Sequence, residues 1–167
     1  MTDSFPQRKG LRLKQFNYSS ANAYFLTICT KSRQPILSDI ILGNKEKPEV
    51  VLTKMGTIIE RNVRCISKTG YASVDHYVIM PDHIHLIIRL NETINEADDP
   101  KNQMIPHIVS TFKRLCTKEI GSNVFQRSYY DHIIRDREDY ETRMRYIYDN
   151  PVKRYYEENA PKTEEDP

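Results

Sequence analysis

The sequence predicts an α+β fold of the ferredoxin-like type, a split βαβ arrangement with one antiparallel sheet, helices on one face and a further C-terminal helix. Two observations support this class. Apolar segments with strand-like or helix-like spacing follow in the order strand, helix, strand, strand, helix, strand, and one more helix comes after them. The length of 167 residues fits a single domain. We therefore expect the domain to occupy residues 23–156, between a basic arm at 1–22 and an acidic, disordered tail at 157–167.

The first half of the predicted domain contains a strand, a hairpin and a helix. Residues 24–30 are rich in β-branched and aromatic side chains, which is typical of a buried strand. Residues 31–53 predict a loop and a short hairpin that turns at Gly43-Asn44. Residues 54–67 predict a helix, because their apolar residues recur at helical spacing and Gly70 lies just beyond them.

The second half begins with another hairpin and a second helix. Two apolar runs, 71–80 and 84–90, are separated by the turn dipeptide Pro81-Asp82, which predicts the hairpin. After a polar stretch, an apolar stripe from residue 105 to residue 116 predicts a helix that ends at Gly121.

A last strand and a last helix complete the predicted order. The strand is expected over residues 129–134. Asp136 can cap the helix that follows, which we predict over 137–149. Pro151 would end this helix, because the proline ring clashes with the preceding helical turn.

The composition excludes several classes of protein. Charged residues make up 29% and hydrophobic residues 38% of the chain, and no run of 18 apolar residues occurs. We therefore expect no transmembrane helix, no signal peptide and no membrane partner. The three cysteines are scattered, which predicts neither a disulfide framework nor a cysteine metal knuckle. A cytoplasmic protein is the natural interpretation.

The charge is distributed unevenly along the chain. Residues 157–167 contain five acids and one base, a net charge of −4, so residues 1–156 carry +6 of the total of +2. A basic body is compatible with a nucleic-acid partner, although a solvated basic surface explains the same charge. The candidate DNA-binding residues are Arg12, Lys14, Lys113, Arg114, Arg127 and Arg135.

The sequence His83-Ile84-His85 is the first candidate for chemistry. Residues two apart on a strand project from the same face, so both imidazoles are expected side by side. Imidazole pairs suit divalent metal ions, with an oxygen ligand to complete the site. A bare pair of this kind is also compatible with two structural histidines. His132, on the last strand, is a possible neighbour of the site.

Tyr146 and Asn150 are the second candidate. They lie four residues apart on the last predicted helix and are expected to point in similar directions. Tyr140, Met144 and Tyr148 are assigned to the core stripe of this helix, whereas Tyr146 points away from it. Packing or surface exposure is the ordinary role of a tyrosine, and this direction favours Tyr146 as the reactive one.

Three blocks together resemble the HUH single-tyrosine transposases, the enzymes of small insertion sequences and the REP-associated tyrosine transposases. The blocks are residues 77–88, 125–136 and 146–153, and the segment from residue 12 to residue 30 resembles the usual opening of the family. The resemblance covers nearly all of residues 8–154. Two departures are small: Phe125 stands where the family often has Trp, and Asp82 where it often has Asn.

The resemblance implies a ferredoxin-like catalytic domain that cleaves single-stranded DNA with a tyrosine and a metal ion. His83 and His85 match the metal-binding histidine pair, Asn150 matches the polar residue that completes the metal site, and Tyr146 matches the nucleophile. The expected cofactor is Mg²⁺ or Mn²⁺, and the expected partner is single-stranded or hairpin DNA, bound by a monomer or a homodimer. A 5′-phosphotyrosine intermediate would allow strands to be nicked and rejoined.

Two other functions remain open at this level. The first is a non-catalytic or regulatory nucleic-acid-binding protein on the same scaffold. The second is a metal-dependent phosphohydrolase that uses the histidine pair without a covalent step. Only the transposase-like enzyme would form a covalent adduct with DNA.

Overall fold

The computed structural model describes residues 22–91 and 103–160, which form one four-stranded antiparallel sheet, a two-stranded sheet and three α-helices. Arg12, Lys14 and most of the predicted acidic tail lie outside the described residues. The strands are β1 (Ala23–Cys29), β2 (Ser38–Leu42), β3 (Pro48–Leu52), β4 (Ala72–Ile79), β5 (His83–Leu90) and β6 (Tyr130–Ile134). The helices are α1 (Lys54–Ile66), α2 (Met104–Ile120) and α3 (Arg137–Glu158), with short 3₁₀ helices at Lys31–Arg33 and Ser67–Thr69.

The main sheet has the strand order β4-β5-β1-β6, and every neighbouring pair is antiparallel. This order is that of the ferredoxin-like plan, so the predicted fold class is confirmed. The central strands β1 and β5 pair so that Thr27 lies opposite His85 and Cys29 opposite His83. The register therefore brings the C-terminal end of β1 next to the two histidines.

The two faces of the main sheet carry different helices. Helices α1 and α2 pack on one face and form the larger hydrophobic core with alternate residues of the central strands. Those strand residues are Tyr24, Leu26, Ile28, Ile84, Leu86 and Ile88. Helix α3 packs on the opposite face over a smaller cluster, which consists of Ala23, Phe25, Ile87, Ile134 and Ile147. The period of two along β5 thus sends Ile84, Leu86 and Ile88 to the larger core, and sends Ile87 and both histidines to the α3 face.

Local signals at the helix ends agree with the predicted boundaries of α1 and α2. The Thr53 side chain accepts a hydrogen bond from the Gly56 N–H and caps α1. Gly70 and Gly121 have φ angles of 85° and 82°, the left-handed conformation in which glycine ends a helical segment without a Cβ penalty. Gly56 has a different role, because a Cβ there would lie 2.0 Å from the Leu37 carbonyl oxygen.

The predicted end of α3 at residue 149 is wrong. The helix continues through Pro151 to Glu158, so residues 157 and 158 belong to the helix and not to a tail. Pro151 removes one backbone N–H, but its ring is buried one turn after Ile147 on the same side of the helix. Helix α3 also contacts the β2–β3 hairpin and β4. This packing compensates for the lost hydrogen bond.

The β2–β3 hairpin turns through Gly43, as predicted, and its base supports the turn before β5. The Gly43 N–H donates to the Lys47 carbonyl oxygen at 2.9 Å. At the other end, the Leu37 N–H donates to the Pro81 carbonyl oxygen at 2.9 Å. The buried Leu37 thereby links the start of the hairpin to the tight turn that leads into His83. No helix among the described residues has the length and apolar character needed to span a membrane.

Candidate active site

The two histidines meet on the α3 face of the sheet. The Nε2 atoms of His83 and His85 lie 3.0 Å apart, and both side chains are almost fully buried. The predicted projection of both imidazoles from one face of β5 is confirmed. Two metal ligands at right angles, each at about 2.1 Å from the ion, are separated by about 3.0 Å. The spacing therefore fits two nitrogen ligands of one octahedral ion.

The outer nitrogen of each imidazole has a partner of its own. His83 Nδ1 lies 2.8 Å from Asp82 Oδ1, and His85 Nδ1 lies 2.9 Å from Thr27 Oγ1. An ionised carboxylate accepts hydrogen bonds and cannot donate them, so a neutral His83 carries its proton on Nδ1. Its Nε2 atom then keeps a free lone pair, which is the form that binds a metal ion.

Both imidazoles are held in the neutral form at neutral pH. Burial lowers the pKa of His83, although the Asp82 carboxylate opposes the shift. Burial, together with the neighbouring His83, lowers the pKa of His85 to about 3. Neither imidazole therefore has to lose a positive charge before a metal ion binds near pH 7.

Tyr146 lies directly beside the histidine pair. Its ring packs edge-on against His85 with ring centres 5.0 Å apart, and against Phe25 at 6.0 Å. Phe25 in turn stacks on the His85 ring at 5.2 Å. The Tyr146 side chain nevertheless remains 45% exposed. This combination of a fixed ring and an exposed edge leaves the phenol within reach of an extended ligand.

The predicted core stripe of α3 is wrong for Tyr148. Tyr148 is 61% exposed, and its hydroxyl lies 3.0 Å from His76 Nδ1 on β4. The buried side of the helix is centred on Ile147 and Pro151, with Tyr140 and Met144 partly buried beside it. The predicted helix stopped at residue 149 and so did not include Pro151. Without Pro151, the predicted centre of the buried stripe lies too close to Tyr148.

An open cleft of about 670 Å³ contains all four predicted site residues. His83 and His85 line its floor, and Tyr146 and Asn150 line it from α3. Its lining also includes Phe25, Thr27, Tyr130, Arg33, Arg143, Lys153, Arg154, Glu157 and Glu158. The structure therefore brings the predicted metal ligands and the predicted nucleophile into one cavity. No third histidine, cysteine or carboxylate within the described ranges joins the imidazole pair in a metal-binding cluster.

Asp82 is a site residue that the sequence interpretation treated as a turn residue. Its side chain is only 7% exposed and bonds to His83, to Arg33 Nε at 3.0 Å, and to Arg154 Nη1. Burial alone would raise the pKa of Asp82, but the bonds from His83 and Arg154 hold it below the ordinary value. The only local signal was its position before the histidine pair, because its other partners are distant in sequence.

The Lys113 side chain binds backbone carbonyl groups of the loop before β6. Its ammonium donates to the carbonyl oxygens of Gln126, Arg127 and Ser128 at 2.8, 3.2 and 3.2 Å. These bonds use the three donors of the group, so we leave Lys113 out of the proposed DNA surface. Arg114 is exposed on the same helix, α2, which lies on the sheet face opposite the cleft.

The remaining candidates lie away from the imidazole pair. Arg127 is exposed in the loop before β6, and Arg135 borders a second cavity of about 410 Å³ near the start of α3. His132 Nε2 lies 2.7 Å from Asp139 Oδ2 and 3.4 Å from Arg143 Nη2. His132 is therefore connected to the cleft through Arg143, whose guanidinium carbon lies 5.5 Å from the centre of the Phe25 ring.

Comparisons with known proteins agree with this architecture. Residues 18–150 match the family model described as transposase IS200 like. The chain is 32% identical over 136 residues to the REP-associated tyrosine transposase of Escherichia coli K12, which covers 81% of this chain and 70% of the relative. It is also 32% identical over 164 residues to an uncharacterized protein of Haemophilus influenzae Rd, covering 87% and 88% of the two chains.

One solved structure shows the same fold. It is a REP-associated tyrosine transposase bound to a REP hairpin, with a TM-score of 0.58 and 23% sequence identity. The match covers 81% of this chain and 69% of the other chain.

Proposed function

The chain belongs to the IS200-like transposase family, and on this premise we propose that it is a metal-dependent DNA strand transferase that nicks and rejoins single-stranded DNA. The observation that carries the proposal is the contact between Tyr146 and His85 in an open cleft. It places a half-exposed phenol beside two neutral imidazoles. A pure binding protein has no need of this combination.

His83 and His85, with the amide oxygen of Asn150, would hold the divalent ion. We propose Mg²⁺ or Mn²⁺, which would neutralise charge on a phosphate oxygen of the scissile bond. The 3.0 Å spacing of the Nε2 atoms and the proton that Asp82 keeps on His83 Nδ1 support this assignment. Imidazole ligands favour Mn²⁺ relative to sites made of oxygen alone.

Tyr146 is the proposed nucleophile. Its Oη atom attacks the scissile phosphorus, the bond from phosphorus to the 3′ oxygen breaks, and the phenol proton leaves as the 3′ oxygen gains one. The product is a 5′-phosphotyrosine and a free 3′-hydroxyl. Attack by a 3′-hydroxyl reverses these steps, so strands are rejoined without ATP.

The rim of the cleft provides contacts for an unpaired strand. Lys153 is 70% exposed, and its ion pair with Glu157 is long at 3.7 Å, so its ammonium can turn towards a phosphate. Tyr130, 48% exposed on β6, offers a flat surface on which a base can stack. Since a REP-associated tyrosine transposase with the same fold was solved bound to a REP hairpin, we propose hairpin-forming repeats with unpaired flanks as the substrate.

The test uses single-stranded oligonucleotides with a hairpin, randomised flanks and a label at the 3′ end. After incubation with Mn²⁺, a denaturing gel should show labelled DNA attached to the protein, and mass spectrometry should identify Tyr146. Binding without an adduct would indicate the non-catalytic alternative. Cleavage without an adduct would indicate a phosphohydrolase.

A further inference from the structure

We propose that Asp82 is a positioning residue that holds the His83 ring with its Nε2 lone pair directed at His85 and, through Arg154, anchors α3 to the same strand. The inference rests on the proposed metal site and extends it to a residue that does not itself touch the metal or DNA. It explains why a carboxylate is buried at this turn.

The hydrogen bonds of Asp82 define the proton position on His83. Asp82 Oδ1 lies 2.8 Å from His83 Nδ1, and the carboxylate side chain is 7% exposed. At this burial, water does not replace the carboxylate as a partner. Free neutral histidine exchanges its proton between both nitrogens, whereas this contact selects the form with hydrogen on Nδ1. The opposite nitrogen is then the one that faces His85 Nε2.

The turn itself does not require the Asp82 side chain. Backbone groups already close it: the Thr30 N–H donates to the Asp82 carbonyl oxygen at 2.9 Å, and the Met80 N–H donates to the His83 carbonyl oxygen at 2.8 Å. The Thr30 hydroxyl donates to the same Asp82 oxygen at 3.0 Å. A purely structural role in the turn therefore leaves the carboxylate unexplained.

The same carboxylate also connects the histidine strand to the helix of the nucleophile. Arg154 donates to Asp82 Oδ1 and, through Nε, to Glu158 at 2.7 Å. Arg154 lies two helical turns after Tyr146 and one turn after Asn150. Arg33 binds the second carboxylate oxygen at 3.0 Å, so both oxygens have cationic partners. Loss of the carboxylate would free α3 at the level of Asn150.

The first test needs no mutation. Long-range ¹H–¹⁵N spectra of the metal-free protein at neutral pH report which imidazole nitrogen carries the proton. We expect hydrogen on Nδ1 of His83. Hydrogen on Nε2 in the parent protein would overturn the proposal, whatever the variants do.

The second test compares two substitutions of Asp82. In Asp82→Ala the Nδ1 partner is lost, so we expect mixed proton positions on His83 and Mn²⁺ affinity 10- to 100-fold lower by calorimetry. In Asp82→Asn the amide oxygen can still accept from Nδ1, so the Nδ1–H form and Mn²⁺ binding should return to within a few-fold of the parent. The exposed Asp39→Asn is the matched control and should change neither. Parent-like Mn²⁺ affinity in Asp82→Ala would overturn the positioning role.

The third test addresses the anchor. Asp82→Asn and Arg154→Ala should both accelerate amide hydrogen exchange in residues 150–158, because the ion pair is lost in each. Arg137→Ala, which removes an exposed pair with Glu141 at the start of α3, is the control and should leave that region unchanged. Unaltered exchange in both variants would refute the anchor.

These outcomes are separable from a failure of the proposed function. If His83→Ala binds Mn²⁺ as the parent does, the metal site is wrong, but the proton position and the exchange data still test Asp82. If His83→Ala no longer binds Mn²⁺ while Asp82→Ala binds it as the parent does, the proposed metal site is supported and the positioning role of Asp82 is refuted.

Discussion

The phenol ring of Tyr146 stands edge-on to the imidazole of His85, with ring centres 5.0 Å apart. This contact joins α3 to a central strand at the point where both carry residues of the proposed site. It also holds the phenol ring by packing, while the cleft leaves its edge open to solvent.

Tyr146→Phe should abolish the covalent DNA adduct and retain DNA binding. The substitution removes only the hydroxyl, so the ring contacts with His85 and Phe25 survive and the fold is little changed. The measurement is the denaturing gel with 3′-labelled hairpin DNA. Tyr148→Phe on the same helix is the control and should form the adduct, since the Tyr148 hydroxyl contacts His76 outside the cleft. An adduct formed by Tyr146→Phe would exclude Tyr146 as the nucleophile.

Lys153→Ala should weaken binding of single-stranded DNA and reduce its salt dependence. One lost phosphate contact lowers the slope of log affinity against log salt by about 0.7 for a single strand. Fluorescence anisotropy at several salt concentrations measures both quantities. Lys118→Ala, exposed on α2 across the sheet, should leave them unchanged. A larger effect of Lys118 would place the DNA on the α2 face instead.

The metal-free protein should lose stability as the pH falls from about 6.5 towards 3. The pKa of His85 is lowered by burial to about 3, so the unfolded chain takes up a proton in this range that the folded chain does not. Each such imidazole lowers the free energy of unfolding by about 1.4 kcal/mol per pH unit. Above pH 6.5 both states are neutral, and the effect is absent.

Urea unfolding at several pH values checks this dependence. His85→Gln should flatten the curve between pH 6.5 and 4.5, before most carboxylates titrate. A curve with the slope of the parent protein would show that His85 is protonated in the folded state, contrary to its lowered pKa.

Lys113→Met should destabilise the fold without a specific loss of DNA affinity. It leaves three carbonyl oxygens of the loop at 126–128 without their charged donor, at a cost of about 1–3 kcal/mol. Arg114→Met at the neighbouring exposed position should change stability by less than about 0.5 kcal/mol. Thermal unfolding measures the loss of stability, and DNA titration well below the melting temperature of both variants measures the affinity. Weakened DNA binding by a folded Lys113→Met protein would return Lys113 to the DNA surface.

Gly56→Ala should lower the free energy of unfolding by about 1–3 kcal/mol, because the new Cβ would overlap the Leu37 carbonyl oxygen. Lys54→Ala, exposed in the first turn of α1, is the control and should be nearly neutral. Denaturant unfolding measures both. Equal stability of the two variants would mean that the Leu37 carbonyl moves aside at little cost.

Local periodicity predicted the parts of the site that lie within one element. The spacing of two between His83 and His85 specified their common face, and the spacing of four between Tyr146 and Asn150 placed both on one side of α3. The strand order followed from the order of the apolar segments, because short connections leave few ways to pair them.

The remaining features depend on contacts between distant segments, which a local pattern does not contain. Asp82 and Arg154 are 72 residues apart, and the sequence around each residue does not predict their ion pair. Pro151 was expected to end α3 because its intrinsic effect is to break helices, and burial of its ring beside Ile147 overrides that preference. The prediction that Tyr148 faces the core is wrong for the same reason, because the buried side of α3 includes Pro151 and leaves Tyr148 exposed.

The arrangement of the cleft also has a temporal consequence for a newly made chain. The strands that carry Thr27 and His85 leave the ribosome before α3, and the contacts that complete the cleft close long loops, which is slow. A nascent chain that has exposed only the strands would hold the imidazole pair without a nucleophile. On the proposed function, we therefore expect DNA-cutting competence to arise only after the last described helix has emerged from the exit tunnel.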